Sequence, residues 1–298
     1  MDKKDHIDAF GAASLIGFSL LLAFNQVVIR VVNDGLQPVF FAGLRSLGAV
    51  ACLWLWFAIR RRPLGLQRQH LVSGALMGFL FAFEFVLLFV ALDLTTVSRT
   101  SVLFYTMPLW LTLMAHFLIE GERITPIKAA GQALAFLGMA IAILWRGGGG
   151  EASLAGDILA VAAAVGWALT ALIARTTLKG LAPDRQLFWQ VLVSAPLLLV
   201  ASVFFGPFIR DLQPIHLWGL AFQIVIMVSA GFTFWLWLLS IYPAASVAAF
   251  SFLAPVFGVF LGWWLLDETI GWPILIALGL VCLGLILINR PRQVPQKV

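Results

Sequence analysis

Ten stretches of about twenty mostly apolar residues follow one another along this 298-residue chain. No other feature limits the fold as strongly. The hydrocarbon core of a bilayer is ~30 Å thick, and a backbone inside it must satisfy its own hydrogen bonds, which only helices or a closed barrel can do. The stretches run 13–32, 37–59, 71–92, 97–119, 126–145, 154–176, 187–205, 217–241, 244–266 and 273–289. Each is far longer than the roughly 9–11 residues of a membrane strand. The chain therefore reads as an all-α integral membrane protein of ten transmembrane helices. Charged residues supply 11% of it, less than half the ~25% usual in soluble proteins. The segment before the first stretch, Met1 to Asp8, is mixed in charge, and no small-residue cleavage site follows, so the first stretch is a span and not a signal peptide. The connections carry turn chemistry (Asn33-Asp34-Gly35, Pro63-Leu64-Gly65, Ala182-Pro183-Asp184, Gly206-Pro207) and are too short for a soluble domain.

The pattern also occurs twice. Small polar residues (Thr95, Thr96, Ser98, Thr100, Ser101) open an apolar run with a proline at Pro108, an acidic break at Glu122 and a second run around Gly138. From Tyr242 the plan returns, with Ala244, Ala245, Ser246 and Ala248, then Pro255, Asp267-Glu268 and Gly284, at a spacing of 146 or 147 residues from the first. Residues 1–150 and 151–298 are thus two five-helix repeats. Five is odd, so the second repeat must enter the membrane inverted relative to the first.

Short cytoplasmic loops collect Lys and Arg. Placing both termini inside puts thirteen of the nineteen cations there, among them Lys3, Lys4, Arg60, Arg61, Arg62, Arg123, Lys128, Arg290, Arg292 and Lys297, whereas Arg146 and Arg210 fall outside. The acidic break agrees with inversion, because Glu122 is followed by Arg123 and Lys128 while Asp267-Glu268 has no cation beside it.

The search for chemistry excludes more than it finds. Cys52 and Cys282 lie in apolar runs with no metal spacing and no disulfide framework, and His116 and His216 stand near opposite faces, as solvated or capping residues do. Without paired deep acids or a nucleophile motif an enzyme is a weak reading, and nothing calls for a metal, a cofactor or nucleic acid. Inverted repeats with Pro- or Gly-interrupted helices at matched positions instead mark an alternating-access transporter with its site near the midplane. Pro108 and Pro255 are such a pair, expected to bend their helices and to gate a cavity lined one turn earlier by Ser101, Phe104 and Tyr105 and by Ala248, Ser251 and Phe252. Asn25 and Thr170 correspond between the halves, next to Trp167, and either join helices or meet a ligand. Gly74-x-x-x-Gly78 and Gly258-x-x-x-Gly262 favour packing within one chain, hence a monomer.

Glu84, in Phe81-Ala82-Phe83-Glu84-Phe85, is a carboxylate well inside an apolar run, about 12 Å from the outer end of its span at 1.5 Å per residue. An acid at that depth costs upward of ~2.5 kcal/mol, so it needs a partner or a use. Two readings stand open: a structural pair with Arg45, or a cavity group that holds a substrate ammonium or exchanges a proton.

These features together resemble the EamA-type drug/metabolite transporter superfamily. The resemblance is carried by Leu22-Ala23-Phe24-Asn25 and Val165-Gly166-Trp167-Ala168, by Phe41-Ala42-Gly43-Leu44-Arg45, and by the Pro108…Glu122 and Pro255…Glu268 patterns. With Phe79, Phe83, Tyr105 and Trp167 as an aromatic cavity wall, the chain looks most like the YddG-type amino-acid exporters of the bacterial inner membrane. The resemblance implies efflux of aromatic and other neutral amino acids and related small metabolites through a central cavity lined by helices 1, 3, 4, 6, 8 and 9. Arg45 meets Gln190 in the second half, which puts in doubt any role needing a cation from each half. A carrier of nucleotide sugars or phosphorylated sugars, or a cationic-drug exporter, is the alternative, and a non-transporting scaffold comes last.

Overall fold

The structure is a computed structural model and describes residues 7–65, 68–120, 122–145, 153–242 and 250–289. Outside the described residues lie Lys3, Lys4, Arg146, Arg290, Arg292 and Lys297 of the charge argument, and Ala244, Ala245, Ser246 and Ala248 of the second repeat; the same holds for the side chain of Ser251.

Every described element is helical. They are α1 (Ala9–Gly35), α2 (Pro38–Ile59), a 3₁₀ turn (Arg68–His70), α3 (Leu71–Leu94), α4 (Val97–Phe104), α5 (Met107–Leu118), α6 (Pro126–Leu144), α7 (Leu154–Arg175), α8 (Pro183–Ser202), α9 (Pro214–Phe222), a π-helical stretch (Gln223–Gly231), α10 (Phe232–Ile241), a second 3₁₀ turn (Phe250–Phe252), α11 (Leu253–Leu266) and α12 (Trp272–Ile288). Eight helical spans are long and apolar enough to cross a bilayer, and α11 and α12 are shorter apolar helices. Helix starts follow the local chemistry. Asp8 caps α1 by accepting from the Gly11 amide at 2.8 Å, Thr96 caps α4 and Thr125 caps α6. Proline stands in the first turn of α2, α5, α6, α8, α9 and α12, where its missing N–H costs nothing.

Pro108 does more than bend its span. It has no N–H to offer the Phe104 carbonyl, and the helix stops there: Tyr105 and Thr106 separate α4 from α5. Pro255 likewise lies in the first turn of its helix, α11, directly after the 3₁₀ turn Phe250–Phe252. The π stretch Gln223–Gly231 and Pro196 inside α8 are further irregularities that the sequence reading passed over.

The helices pack as α2 on α8, α3 on α7, α6 on α12, α4 on α11, and α1 on both α11 and the α9–π segment. Three of these contacts, α2 on α8, α4 on α11 and α6 on α12, join spans that correspond at the repeat spacing. Glycine permits the closest contacts. A Cβ on Gly138 would sit 2.8 Å from the Ala277 carbonyl oxygen, and one on Gly78 would sit 2.4 Å from Val193 Cβ. Gly258 faces Ser101 and Gly262 faces Ser98 and Glu268, so these glycines serve contacts inside the chain. Large apolar side chains such as Leu47, Trp54, Leu76, Phe117 and Trp263 cover the outside of the bundle, as expected of a surface against lipid.

The end of the bundle that carries Gly35, Leu94 and Ser202 is called upper here, and the end with Ile59, Arg175 and Pro183 lower. Polar ties close the upper end. Arg210 donates to both Asp93 carboxylate oxygens at 2.6 and 2.9 Å and to the Asn33 carbonyl at 2.9 Å. The Asp93 hydrogen bonds hold the Arg210 guanidinium above its ordinary pKa. Arg99 donates through Nε to both Asp157 oxygens, at 3.0 and 3.2 Å, and through Nη2 at 2.6 Å. Thr95 Oγ1 adds a bond to Asp157 at 2.9 Å. Glu268, turned back by the left-handed Asp267, accepts from the Val97 and Ser98 amides at 2.5 and 2.9 Å and so sits on the N-terminus of α4. The lower end holds Arg62–Asp184 and Arg175–Glu122, both solvent-exposed pairs of little energetic weight.

Candidate functional site

A cavity of about 240 Å³ begins midway through the bundle and runs toward the lower end. Its deep part is lined by Asn25 and Gln26 of α1, Arg45 of α2, Glu84 and Leu88 of α3, and Phe104 of α4, and its lower part by Ala174, Pro183 and Gln186. A second, more apolar cavity of about 260 Å³ adjoins it, with Leu22, Tyr105, Trp167, Phe232 and Trp235 forming the shared wall and Phe18, Met107, Pro108 and Phe250 beyond. The pair together reaches the size of small-ligand sites, roughly 300–1,000 Å³. A larger cleft of about 440 Å³ lies among Arg30, Asp34, Asp93 and Glu268 at the upper end. Its charges are engaged with one another or with the N-terminus of α4, so it offers a ligand little.

The aromatic wall is ordered by stacking. Trp167 lies parallel to Phe104 with ring centroids 5.0 Å apart and meets Tyr105 edge-on at 6.4 Å. Gly166, beside Trp167, lets α7 lie directly against α3, since a Cβ there would stand 3.3 Å from Glu84 Cβ.

The polar groups are unusual in what they lack. Among the described residues, seven buried side-chain polar atoms have no hydrogen-bond partner, and four of them belong to this one cavity: Asn25 Oδ1, Gln26 Nε2, Arg45 Nε and Glu84 Oε2. A buried polar atom left unpaired costs free energy, so a concentration of them in a hollow marks a place where another molecule supplies the partners. Arg45 and Glu84 are 2% and 3% exposed. Neither makes an ion pair or hydrogen bond to any described residue. The Arg45 guanidinium instead lies over the Phe85 ring at 4.5 Å and near Phe89 at 5.8 Å. Arg45 and Glu84 therefore make no direct ion pair with each other, and both side chains line the cavity.

The expected site residues divide. Asn25, Glu84, Tyr105, Trp167 and Thr170 line the cavity, and Pro108 lines its apolar extension. Phe79 and Phe83 do not: they are 53% and 51% exposed and share the outer stripe of α3 with Val72 and Leu76, turned away from the stripe of Glu84, Phe81 and Leu88. Ser101 is buried between helices, where it donates to Gln26 Oε1 at 2.6 Å and faces Gly258. Phe252 packs against the core of α6 and α12, and Phe250 and Ala254 line the cavity in its place. Pro255 is buried in helix packing. Phe104, expected one turn before Pro108, lines the cavity, and so do Gln26, Gln190 and Trp235, which the sequence did not single out as lining residues. A helical wheel of α1 would have marked Gln26, which is polar, apolar-flanked and next to Asn25. Asp157, at the start of α7, is a second deeply buried carboxylate, answered by Arg99. His116 and His216 both take backbone amides, as expected: His116 Nδ1 accepts from the Ile124 amide and His216 Nδ1 from the Gln213 amide. Both cysteines are free, and no group of three or more metal-ligating side chains occurs among the described residues.

The sequence pattern of the EamA-like transporter family matches the chain twice, over residues 9–144 and 154–290. The chain belongs to the EamA-like transporter family. It is 27% identical over 282 residues to the "Uncharacterized transporter YoaV" of Bacillus subtilis, covering 91% of this chain and 94% of that one. It is 28% identical over 298 residues to the "Probable amino-acid metabolite efflux pump" of Escherichia coli, covering 97% and 93%. A solved crystal structure, 22% identical, superposes with a TM-score of 0.64 over 93% of this chain and 96% of that one, a likeness of fold alone. This EamA-like chain is thus a multi-pass membrane transporter, and its family is one of carriers of small molecules.

Proposed function

We propose that this EamA-like transporter exports amino acids, aromatic and other neutral ones, and related small metabolites across the bacterial inner membrane by alternating access. The observation that carries the reading is the single-ended cavity, which joins unpartnered polar groups to a stacked aromatic wall at mid-depth. The name of the E. coli relative points the same way.

In this reading the ten helices form two inverted repeats with both termini in the cytoplasm. In support, Arg60, Arg61, Arg62, Arg123, Lys128 and Lys179 gather at the lower end while Arg30, Arg99 and Arg210, each paired with an acid, stand at the upper. The cavity then faces the cytoplasm, and Arg99–Asp157, Arg210–Asp93 and Glu268 on α4 form the outer seal. The interruption at Tyr105-Thr106 lets α4 and α5 move separately, with α11 on the opposite side, so Pro108 and Pro255 mark where the halves change shape. The cargo binds one chain, and a monomer suffices. Proteoliposomes carrying the full chain and loaded with phenylalanine, leucine, threonine, a nucleotide sugar or a quaternary amine test the reading. Efflux of the amino acids above protein-free vesicles is expected, and efflux of the nucleotide sugar or the amine without them would overturn it.

A further inference from the structure

The cavity presents one positive and one negative group, each almost wholly buried and neither bonded to the other. Arg45 comes from α2 and Glu84 from α3, and the guanidinium rests over Phe85, the residue next to Glu84. Stacking on a ring steadies a guanidinium but uses none of its N–H groups, which stay free to donate. Glu84 Oε2 has no donor of its own. Asn25 Oδ1 and Gln26 Nε2 add an unused acceptor and an unused donor beside them.

A charge in a low-dielectric hollow is stable only with an opposite charge in contact. A cationic cargo answers Glu84 and leaves Arg45 bare, and an anionic cargo does the reverse. A molecule that carries both charges close together, with no net charge, answers both at once. We infer that Arg45 and Glu84 form a zwitterion clamp that recognises the α-carboxylate and α-ammonium groups of a free amino acid, while its side chain enters the apolar extension past Tyr105 and Trp167. This deepens the transport reading above and rests on it. The clamp sets the class, an α-amino acid with both backbone charges, and the aromatic extension sets the preference among side chains. Arg45 takes the carboxylate through paired N–H donors, Glu84 accepts from the ammonium, and the amides of Asn25 and Gln26 complete the shell. A cationic drug, a nucleotide sugar and a peptide blocked at one end each lack one of the two charges.

The test needs first the unaltered full-length chain in nanodiscs, with tritiated L-phenylalanine as probe. L-phenylalanine and L-leucine compete, together with phenethylamine, which lacks the carboxylate, and 3-phenylpropionate, which lacks the ammonium. Both single-charge analogues are expected to compete at least about tenfold more weakly than phenylalanine, the size of one lost charge-assisted hydrogen bond. The variants should then cross over: Glu84→Gln weakens phenylalanine while sparing 3-phenylpropionate, and Arg45→Gln weakens phenylalanine while sparing phenethylamine. A residue that merely packs would weaken every ligand alike, and that result overturns the clamp. So does competition by either analogue within threefold of phenylalanine on the unaltered chain, an outcome that leaves amino-acid export standing. If phenylalanine and leucine both fail to bind the unaltered chain, amino-acid export falls and the clamp with it.

Discussion

Replacing Asp157 with Asn removes one charge from a pair that has no access to water. The Asp157 side chain is 0% exposed and that of Arg99 6%. The amide oxygen left at position 157 and the Ala142 carbonyl can still accept from the Arg99 guanidinium, but a full positive charge stays buried without a counter-charge. Breaking a buried pair from one side costs about 3–5 kcal/mol. At roughly 2–3 °C per kcal/mol for a chain of this size, the melting temperature should fall by about 6–15 °C. Removing both charges together is a different matter, because well-packed apolar side chains of similar volume replace a buried ion pair at little or no cost. Arg99→Met/Asp157→Leu should therefore recover most of the loss, giving a coupling energy of several kcal/mol across the double-mutant cycle. A thiol-reactive fluorogenic dye can follow unfolding in detergent, since Cys52 and Cys282 are both free and half-buried. A single variant that melts within about 2 °C of the unaltered chain, or a double variant no more stable than the single, would refute the reasoning, for the pair would then be solvated or its energy spread over other contacts.

Three further outcomes follow from the site. Trp167→Ala and Tyr105→Ala should lower phenylalanine transport about two- to twelvefold more than threonine transport, the worth of one ring pair, and equal losses in liposome efflux would make these rings packing only. Pro108→Ala returns an N–H to the Phe104 carbonyl and should let α4 and α5 join; transport should fall while the dye-monitored melting temperature holds or rises, and unchanged efflux would show that the interruption is incidental. Phe83→Ala, on the outer stripe of α3, should change phenylalanine efflux by less than about twofold, whereas a large loss would mean that this face turns toward the substrate path.

The limits of the sequence show best on α3. That this segment is a membrane helix was legible from its composition, because a bilayer allows a run of some twenty apolar residues almost no other structure. Its mean hydropathy is so uniform that no polar stripe marks an inner face, and Phe79 and Phe83 were as good candidates for the cavity as Phe81 and Phe85. Only the packing of α3 against α7 and α8 decides which phenylalanines meet lipid and which meet the cavity. Glu84 could be singled out, since an acid at that depth is conspicuous in any register. Its relation to Arg45 could not, because whether two charges at similar depth on neighbouring helices touch depends on rotations that a one-dimensional pattern does not record. The break before Pro108 was legible as a bend, proline having no N–H in any context. That Pro108 and Pro255 each stand in the first turn of a helix was not, since the same residue is a disruption or a good start depending on where the helix begins. Repeat, spans and unusual residues are local properties, written in the order of the side chains. Which of them share a hollow is a property of how helices lean on one another, and in a membrane, where lipid and protein interior are almost equally apolar, only tertiary contacts make that choice.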